Sequence, residues 1–197
     1  MNHHKFVNGP GDATITWRYT KKDTLFSAVT YFFVSTYFQA GLIKSFVAKA
    51  RAGNRRQFRQ IIAQYASVLV AHVAFLGLAV HLRGLRLGLV TYLCSFGATA
   101  AMGLWGMMFI NYIQHVHCDP STDYNHSWNF VGPRANWLVF NSGYHTAHHE
   151  VAGAHWSTLP AIHQAIAHNI DPELNQPSIA GYLFRAYVIG RLSPRLL

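Results

Sequence analysis

Three long stretches of the chain carry no charged residue, and their apolar pattern predicts helices. They are residues 24–43, 60–82 and 87–118. An α-helix needs about 20 predominantly apolar residues to cross the hydrocarbon core of a bilayer. The second and third stretches are separated only by "RGLR", which is too short for anything except a tight turn. They therefore predict a hairpin of two membrane-spanning helices, at about 60–82 and 87–112.

The first charge-free stretch differs from the other two because it is rich in Ser, Thr, Tyr and Gln. Such a mixed helix is typical of the membrane–water interface. We therefore predict an interfacial helix at about 24–43 rather than a third span.

The last third of the chain shows no long apolar run. The segment 119–137 contains two prolines and a glycine and is predicted to be loop. Short amphipathic helices are expected at about 161–169 and 179–191. The pattern as a whole predicts an all-α integral membrane protein with a histidine-rich helical cap outside the bilayer.

Basic residues are distributed unequally around the predicted hairpin. Only Arg83 and Arg86 lie in its turn, whereas six precede its first helix: Lys44, Lys49, Arg51, Arg55, Arg56 and Arg59. Cytoplasmic loops carry an excess of Lys and Arg. Residues 44–60 are therefore predicted to lie in the cytoplasm, with the basic run 51–59 as a solvated loop at the lipid headgroups. A two-span hairpin then returns the chain to the cytoplasm, where the histidine-rich segments on either side of it can meet.

Composition supports the membrane prediction. The 197 residues are 51% hydrophobic and only 12% charged, which is about half the charged content of an ordinary soluble domain. The net charge of +9 is also compatible with nucleic-acid binding. No recognised nucleic-acid-binding module is present, however, so we expect no nucleic-acid partner.

Histidine is the unusual residue, with 13 copies against seven acidic residues. His145, His148 and His149 stand at positions i, i+3 and i+4, which places three imidazoles on one face of a helix. Neutral imidazole is a good ligand for iron, copper and zinc. The spacing therefore predicts one wall of a metal site. No HExxH spacing is present, which disfavours zinc hydrolysis.

Two further groups of polar residues can face the same metal. His3 and His4 are adjacent near the start of the chain. Asn111 and His115 are four residues apart, as are His115 and Asp119, and all three share one face if the third stretch continues as a helix. Ligating histidines usually donate their second N–H to a carboxylate or a carbonyl. Four residues are candidates for such support: His117, Asp119, Glu150 and His155. Five isolated histidines are interpreted as ordinary hydrogen-bonded residues: His72, His81, His126, His163 and His168.

These motifs resemble those of the membrane fatty acid desaturase family over nearly the whole chain. The resemblance is carried by "HHKFVNGPGD" at 3–12, "NYIQH" at 111–115, "GYHTAHH" at 143–149 and "HWSTLP" at 155–160. It implies a non-haem centre with two iron ions on the cytoplasmic face. It implies an iron-bound water held by Asn111 and six histidine ligands: His3, His4, His115, His145, His148 and His149.

The resemblance also implies an activity. A desaturase would use O2 and two electrons to remove hydrogen from a lipid or acyl chain at the membrane. The electrons would come from a carrier such as a ferredoxin, a rubredoxin or a cytochrome b5-type protein. Two alternatives stay open: hydroxylation or ketolation on the same scaffold, and an inactive remnant or accessory subunit.

The chain departs from the family pattern at its start. The family has an earlier pair of spans with a first histidine box, and it uses eight or more histidines where six are matched here. An HxxHH motif that ends at His4 would need its first histidine just before Met1. We therefore expect Met1 to be an internal methionine, and residues 1–197 to be the N-terminally incomplete, C-terminal portion of a desaturase-like domain.

Overall fold

The computed structural model describes residues 2–16 and 23–190, and nearly all of its regular structure is helical. The helices are α1 (Asn2–Phe6), α2 (Leu25–Gly53), α3 (Arg55–Tyr92), α4 (Ala98–His115), α5 (Pro133–Leu138), α6 (His145–Glu150), α7 (Leu159–Ile166) and α8 (Ile179–Leu183). The strands β1 (Asn129–Phe130) and β2 (Asn175–Gln176) form one parallel pair. The predicted all-α class is therefore confirmed apart from this pair.

The chain divides into two compact units. One combines the residues up to Ser35 with those from Met108 onward, and we call it the histidine unit. The other is the continuous segment Thr36–Met107, which we call the hairpin unit. Every residue predicted for the metal site belongs to the histidine unit.

A sharp reversal inside α3 forms the predicted hairpin. Gly84 has a non-helical backbone with φ 72° and ψ 167°, which is favourable only for glycine. Beyond this turn, Gly88 lies directly against the preceding arm, because a Cβ added there would meet the Cα of Val80 at 2.5 Å. The turn predicted at "RGLR" is therefore confirmed, and two glycines make it possible.

Aromatic contacts hold the two arms together further from the turn. The rings of Phe75 and Phe96 stack with their centroids 5.0 Å apart. Nδ1 of His72 lies 2.7 Å from the hydroxyl of Tyr92. Phe96 belongs to a π-helical turn, Leu93–Gly97, that links α3 to α4. His72 is thus a hydrogen-bonded residue of the hairpin, as predicted.

In the part of the chain that the structure describes, two helical stretches are long and apolar enough to cross a membrane: Leu25–Gly53, and Arg55–His115 with the reversal at Gly84. Large apolar side chains of α3 are exposed, including Leu69 at 64% and Leu82 at 70%. Exposed apolar surface on this scale is typical of helices that contact lipid. The interfacial position expected for residues 24–43 remains a prediction.

The loop predicted for the basic run 51–59 is wrong. α2 continues to Gly53 and α3 begins at Arg55, so Asn54 alone separates two helices. The side chain of Asn54 caps α3 by accepting a hydrogen bond from the backbone N–H of Gln57 at 3.0 Å. Lys, Arg and Ala are strong helix formers. The basic residues therefore make this segment positively charged but do not interrupt its helices.

The core of the histidine unit lies where α4 meets the segments that follow it. Tyr112 on α4 and Tyr182 on α8 are fully buried, and Trp128 is nearly so. The rings of Trp128 and Tyr182 lie 5.2 Å apart. The indole N–H of Trp128 donates to the carbonyl oxygen of Val116 at 2.8 Å. This core fixes the end of α4, where His115 lies.

The segment 119–137 was predicted to be loop but contains β1 and most of α5. Two close backbone contacts position these elements. A Cβ on Gly132 would lie 1.9 Å from the carbonyl oxygen of Pro177, and one on Gly143 would lie 2.4 Å from that of Phe130. Glycine was recognised as a breaker in the sequence, but its role in close packing depends on the fold.

The two C-terminal helices are close to their predicted places. α7 runs from Leu159 to Ile166 and continues as a 3₁₀ turn to Asn169. α8 begins at Ile179 and passes into a π-helical segment that ends at Ile189. The last residue of the predicted helix 179–191 lies outside the described residues.

The contact at Gly88 predicts a specific sensitivity of the hairpin. Gly88→Ala places a methyl group against the Val80 backbone, and overpacking of this kind costs about 1–3 kcal/mol. We expect a lower thermal unfolding temperature for the detergent-purified protein. The control is Gly77→Ala on the same helix, where nothing lies within 4 Å of the added Cβ. Equal unfolding temperatures for the two variants would contradict the close approach of the arms.

Candidate metal centre

His145, His148 and His149 lie on the short helix α6, as their spacing predicted. Thr146 fixes this helix against β1, because its backbone N–H donates to Oδ1 of Asn129 at 2.9 Å. Its hydroxyl also lies 3.0 Å from that of Ser127. With Thr146 fully buried on this side, His145 and His149 share the other face of the helix.

His115 is the last residue of α4 and is completely buried. Its Nδ1 donates to the backbone carbonyl oxygen of His126 at 3.0 Å. Two residues later, His117 has a positive φ of 63°, so the chain leaves the helical direction. α4 therefore ends at His115. The prediction that Asp119 shares its helical face is wrong.

His3 and His4 lie on α1, which is packed against the end of α4 through the loop that follows it. Nδ2 of Asn8 donates to the carbonyl oxygen of His115 at 3.3 Å. The same loop carries Asp12, whose Oδ2 accepts a hydrogen bond from Nδ1 of His3 at 2.7 Å. The loop thus both positions α1 and orients one of its imidazoles.

Histidines from three helices converge in one volume. One ring nitrogen from each of four residues lies within 4.8 Å of the others: His3, His115, His145 and His149. Nε2 of His145 lies 2.9 Å from Nε2 of His115 and 3.2 Å from Nε2 of His149. We call these residues the four-histidine cluster.

A second pair of histidines borders this cluster. The rings of His4 and His148 lie 4.7 Å apart, and His4 lies 4.8 Å from His149. The ring of His126 lies 5.1 Å from that of His149. The structure thus gathers all six histidines of the matched motifs and adds His126, for which the sequence predicts only an ordinary hydrogen-bonded residue.

Burial keeps several of these imidazoles neutral. Desolvation and the neighbouring His148 lower the pKa of His4 to about 4. Desolvation is also the main cause that lowers the pKa of His126 to about 4. It acts with the nearby His149 to hold the pKa of His145 well below its ordinary value. A neutral imidazole keeps a nitrogen lone pair available for a metal ion.

The hydrogen-bonding pattern fits a cation. A carbonyl oxygen cannot donate, so Nδ1 of His115 carries the ring proton and Nε2 presents a lone pair. Five buried ring nitrogens have no hydrogen-bond partner among the described residues: Nε2 of His3 and Nδ1 of His4, His126, His145 and His149. The Nε2 atoms around His145 also lie only 2.9 and 3.2 Å apart, so a cation bound among them could take a lone pair from each ring. The residues present therefore fit a metal site with imidazole ligands.

Asp12 is the carboxylate that supports the cluster. Burial raises its pKa, but hydrogen bonds from His3 and Thr14 outweigh this effect and lower the pKa below its ordinary value. Asp12 therefore stays ionised and holds the proton of His3 on Nδ1, which directs Nε2 toward the cluster. Asp12 is the last residue of "HHKFVNGPGD", but its position nine residues after His3, across a loop, gave no helical spacing that indicated this contact.

The residues predicted to support the metal lie elsewhere. Nε2 of His117 is 2.9 Å from Oδ2 of Asp23. The other three are exposed, and within the described part of the chain none hydrogen-bonds to the four-histidine cluster: Asp119, Glu150 and His155. Asp119 accepts instead from Ser121, and His155 contacts Ser157. Among the described residues, the carboxylate that bonds to the cluster is therefore Asp12.

Asn111 lies one turn before His115 on α4, on the same face. Its Nδ2 donates to the hydroxyl of Tyr31 at 3.3 Å. The hydroxyl of Tyr31 donates in turn to the backbone carbonyl oxygen of Thr14. Asn111 therefore ties α4 to α2 and, through Thr14, to the Asp12 loop. The water-holding role implied by the resemblance remains a prediction.

Comparison with known proteins agrees with the chemistry of this site. The family model described as fatty acid desaturase matches residues 1–179. The comparison with curated proteins found no match, and neither did the comparison with solved structures. The family match covers all three helices that supply the clustered histidines. The chain therefore belongs to the fatty acid desaturase family.

Proposed function

We propose that this protein is a membrane desaturase-type oxidoreductase that removes two hydrogens from the acyl chain of a lipid or fatty acid. The observation that carries the proposal is the four-histidine cluster, with one ring nitrogen from each residue within 4.8 Å of the others. Membership of the desaturase family supports the reaction class.

The proposed cofactor is a pair of iron ions. His3, His115, His145 and His149 would hold the first ion, since their ring nitrogens share one volume. His4 and His148 border that volume and would contribute to the second ion, together with His126. Imidazole is a suitable ligand for iron. When bound, the iron supplies the O2-dependent oxidising power that an unactivated C–H bond requires.

The overall reaction determines which partners are needed. Each turnover consumes one O2, two electrons, two protons and two hydrogens of the substrate, and it yields two water molecules and a double bond. The electrons come from a one-electron carrier of the ferredoxin, rubredoxin or cytochrome b5 class. We propose the cytoplasmic side for the site, on the basis of the basic residues that precede the hairpin.

The chain's own residues prepare the site in two ways. Burial of His115 and His145 keeps their rings neutral and excludes bulk water from the reacting volume. The hydrogen bonds from His3 to Asp12 and from His115 to the carbonyl of His126 fix the ring orientations. The site is thus organised before substrate arrives, as a reaction with a strong oxidant requires.

The central test is loss of iron and activity in His145→Ala. We expect the purified wild-type chain to retain iron by elemental analysis, and the variant to lose most of it together with product formation. The control is His168→Ala, which removes an exposed histidine on the 3₁₀ turn after α7. It should leave both measurements unchanged.

The products decide between the reaction classes. Mass spectrometry of the acyl product should show a loss of two hydrogens. A gain of one oxygen would support hydroxylation on the same scaffold instead. Wild-type protein without iron or product would support the inactive-remnant alternative.

A second variant tests the bordering pair. His148→Ala removes a ring from the pair with His4 and leaves the four-histidine cluster in place. We expect activity to be abolished and about half of the iron to be retained, with membrane insertion unchanged. Pro160→Ala, in the first turn of α7, should have only a mild effect. Wild-type turnover in His148→Ala would remove this residue from the proposed metal centre.

Asp12→Asn tests the support of His3. Loss of a carboxylate behind a metal-ligating histidine typically lowers metal affinity by about 10- to 100-fold. We expect iron to be lost at a correspondingly lower concentration of a competing chelator. Asp119→Asn is the matched control, because Asp119 is an exposed carboxylate that bonds to Ser121. Equal iron retention in the two variants would show that Asp12 does not orient a ligand.

A further inference from the structure

A dense group of cations surrounds the junction between α2 and α3. Six basic residues lie within sixteen positions, on the last turns of α2 and the first turns of α3: Lys44, Lys49, Arg51, Arg55, Arg56 and Arg59. All six are exposed. No Asp or Glu occurs anywhere between residues 24 and 118. The hairpin unit therefore has no acidic side chain of its own that could neutralise them.

An apolar groove lies between the same two helices. It has a volume of about 290 Å³, and its wall includes Ile43, Phe46 and Val47 from α2 and Ile61, Tyr65 and Val68 from α3. These positions follow i, i+3, i+4 and i, i+4, i+7 spacings, so each helix contributes one continuous face. Phe46, Tyr65 and Val68 each expose half or more of their surface. The groove is thus open along its side.

The groove and the cations lie next to each other. Lys44 and Arg51 are seven positions apart on one face of α2, beside the groove-lining positions. At a rise of about 1.5 Å per residue, the α3 wall from Ile61 to Val68 is about 10 Å long. This wall extends away from the basic junction toward the exposed apolar part of α3. An amphipathic molecule with a negative end and a long apolar tail matches this arrangement.

One polar side chain interrupts the apolar wall. Gln64 also lines the groove, on the α3 face between Ile61 and Val68. Its amide can donate to and accept from an ester or glycerol oxygen. Such oxygens lie between the phosphate and the acyl chain of a phospholipid. Along α3 the order is therefore cations, Ile61, the amide of Gln64 and then further apolar surface.

We propose that this junction binds one anionic phospholipid, with the phosphate among the cations and one acyl chain in the groove. Basic segments attract anionic lipid layers in general, but a groove between two helices provides a discrete, saturable site. The site lies wholly within the hairpin unit and shares no residue with the four-histidine cluster. It is independent of the proposed reaction and of iron.

Binding is measured on the full chain in detergent micelles by native mass spectrometry. The probes are dioleoylphosphatidylglycerol, dioleoylphosphatidylcholine and glycerol 3-phosphate. We expect one phosphatidylglycerol per chain to be retained at saturation and to raise the thermal unfolding temperature. Phosphatidylcholine should bind far more weakly. Glycerol 3-phosphate alone should not displace the bound lipid.

Charge variants test the cationic end. Each Lys or Arg near an anionic lipid contributes about fivefold to affinity, so Lys44→Gln with Arg51→Gln should weaken binding about 30-fold. The matched control is Arg83→Gln with Arg86→Gln, which removes the same charge at the opposite end of the hairpin. It should bind phosphatidylglycerol like the wild type. Equal weakening in the two double variants would reduce the effect to net charge and would overturn the site.

A steric variant tests the groove with the cations intact. Val68→Trp fills the groove, whereas Val70→Trp adds the same bulk at an exposed position of α3 that does not line it. We expect only Val68→Trp to lose the bound lipid, with the unfolding temperature without lipid unchanged in both. Retention of phosphatidylglycerol by Val68→Trp would overturn the proposal. So would equal binding of the two lipids, or displacement of the lipid by glycerol 3-phosphate.

Discussion

The arrangement of this protein depends on placing several neutral imidazoles in a small buried volume. Four ring nitrogens lie within 4.8 Å of one another, where protonated rings would repel strongly. Desolvation keeps the pKa values of His145 and His149 low, so the rings remain uncharged. Neutral rings present lone pairs, and lone pairs held close together favour a metal ion. The neutrality of the rings and their capacity to bind a metal ion therefore both follow from burying them together.

The surrounding structure supplies the ring orientations on which this placement depends. Each imidazole has two nitrogens, and only a defined partner on one of them directs the other. Asp12 serves His3, and the carbonyl of His126 serves His115. Thr146 holds α6 against β1 from the opposite side. The short strand pair thus holds α6 in place, and the loop after α1 orients His3.

The hairpin unit follows a different physical logic. Its helices expose large apolar side chains, and its reversal uses Gly84 and Gly88 where a side chain would separate the arms. Its positive charge gathers at the α2–α3 junction. The proposed lipid site uses both properties at once, since an anionic phospholipid has a headgroup for the cations and a chain for the groove.

The sequence alone determined those features that depend on local spacing. Apolar runs and "RGLR" predicted the hairpin, the i, i+3, i+4 histidines predicted α6, and the motifs predicted the family. Helical periodicity and turn chemistry act over a few residues, so they can be read directly from the chain. The basic run 51–59 was wrongly predicted to be a loop, because charged residues indicate solvent exposure but do not interrupt a helix.

Only the tertiary structure decided which residues meet across long separations. Asp12 supports the cluster instead of Asp119 or Glu150, and His126 joins the histidines although it stands outside every motif. These contacts arise because a loop after α1 and a strand after α4 pack around His115. No local pattern encodes such packing. The sequence thus determined which side chains could form a metal site, and the fold decided which of them are oriented and buried there.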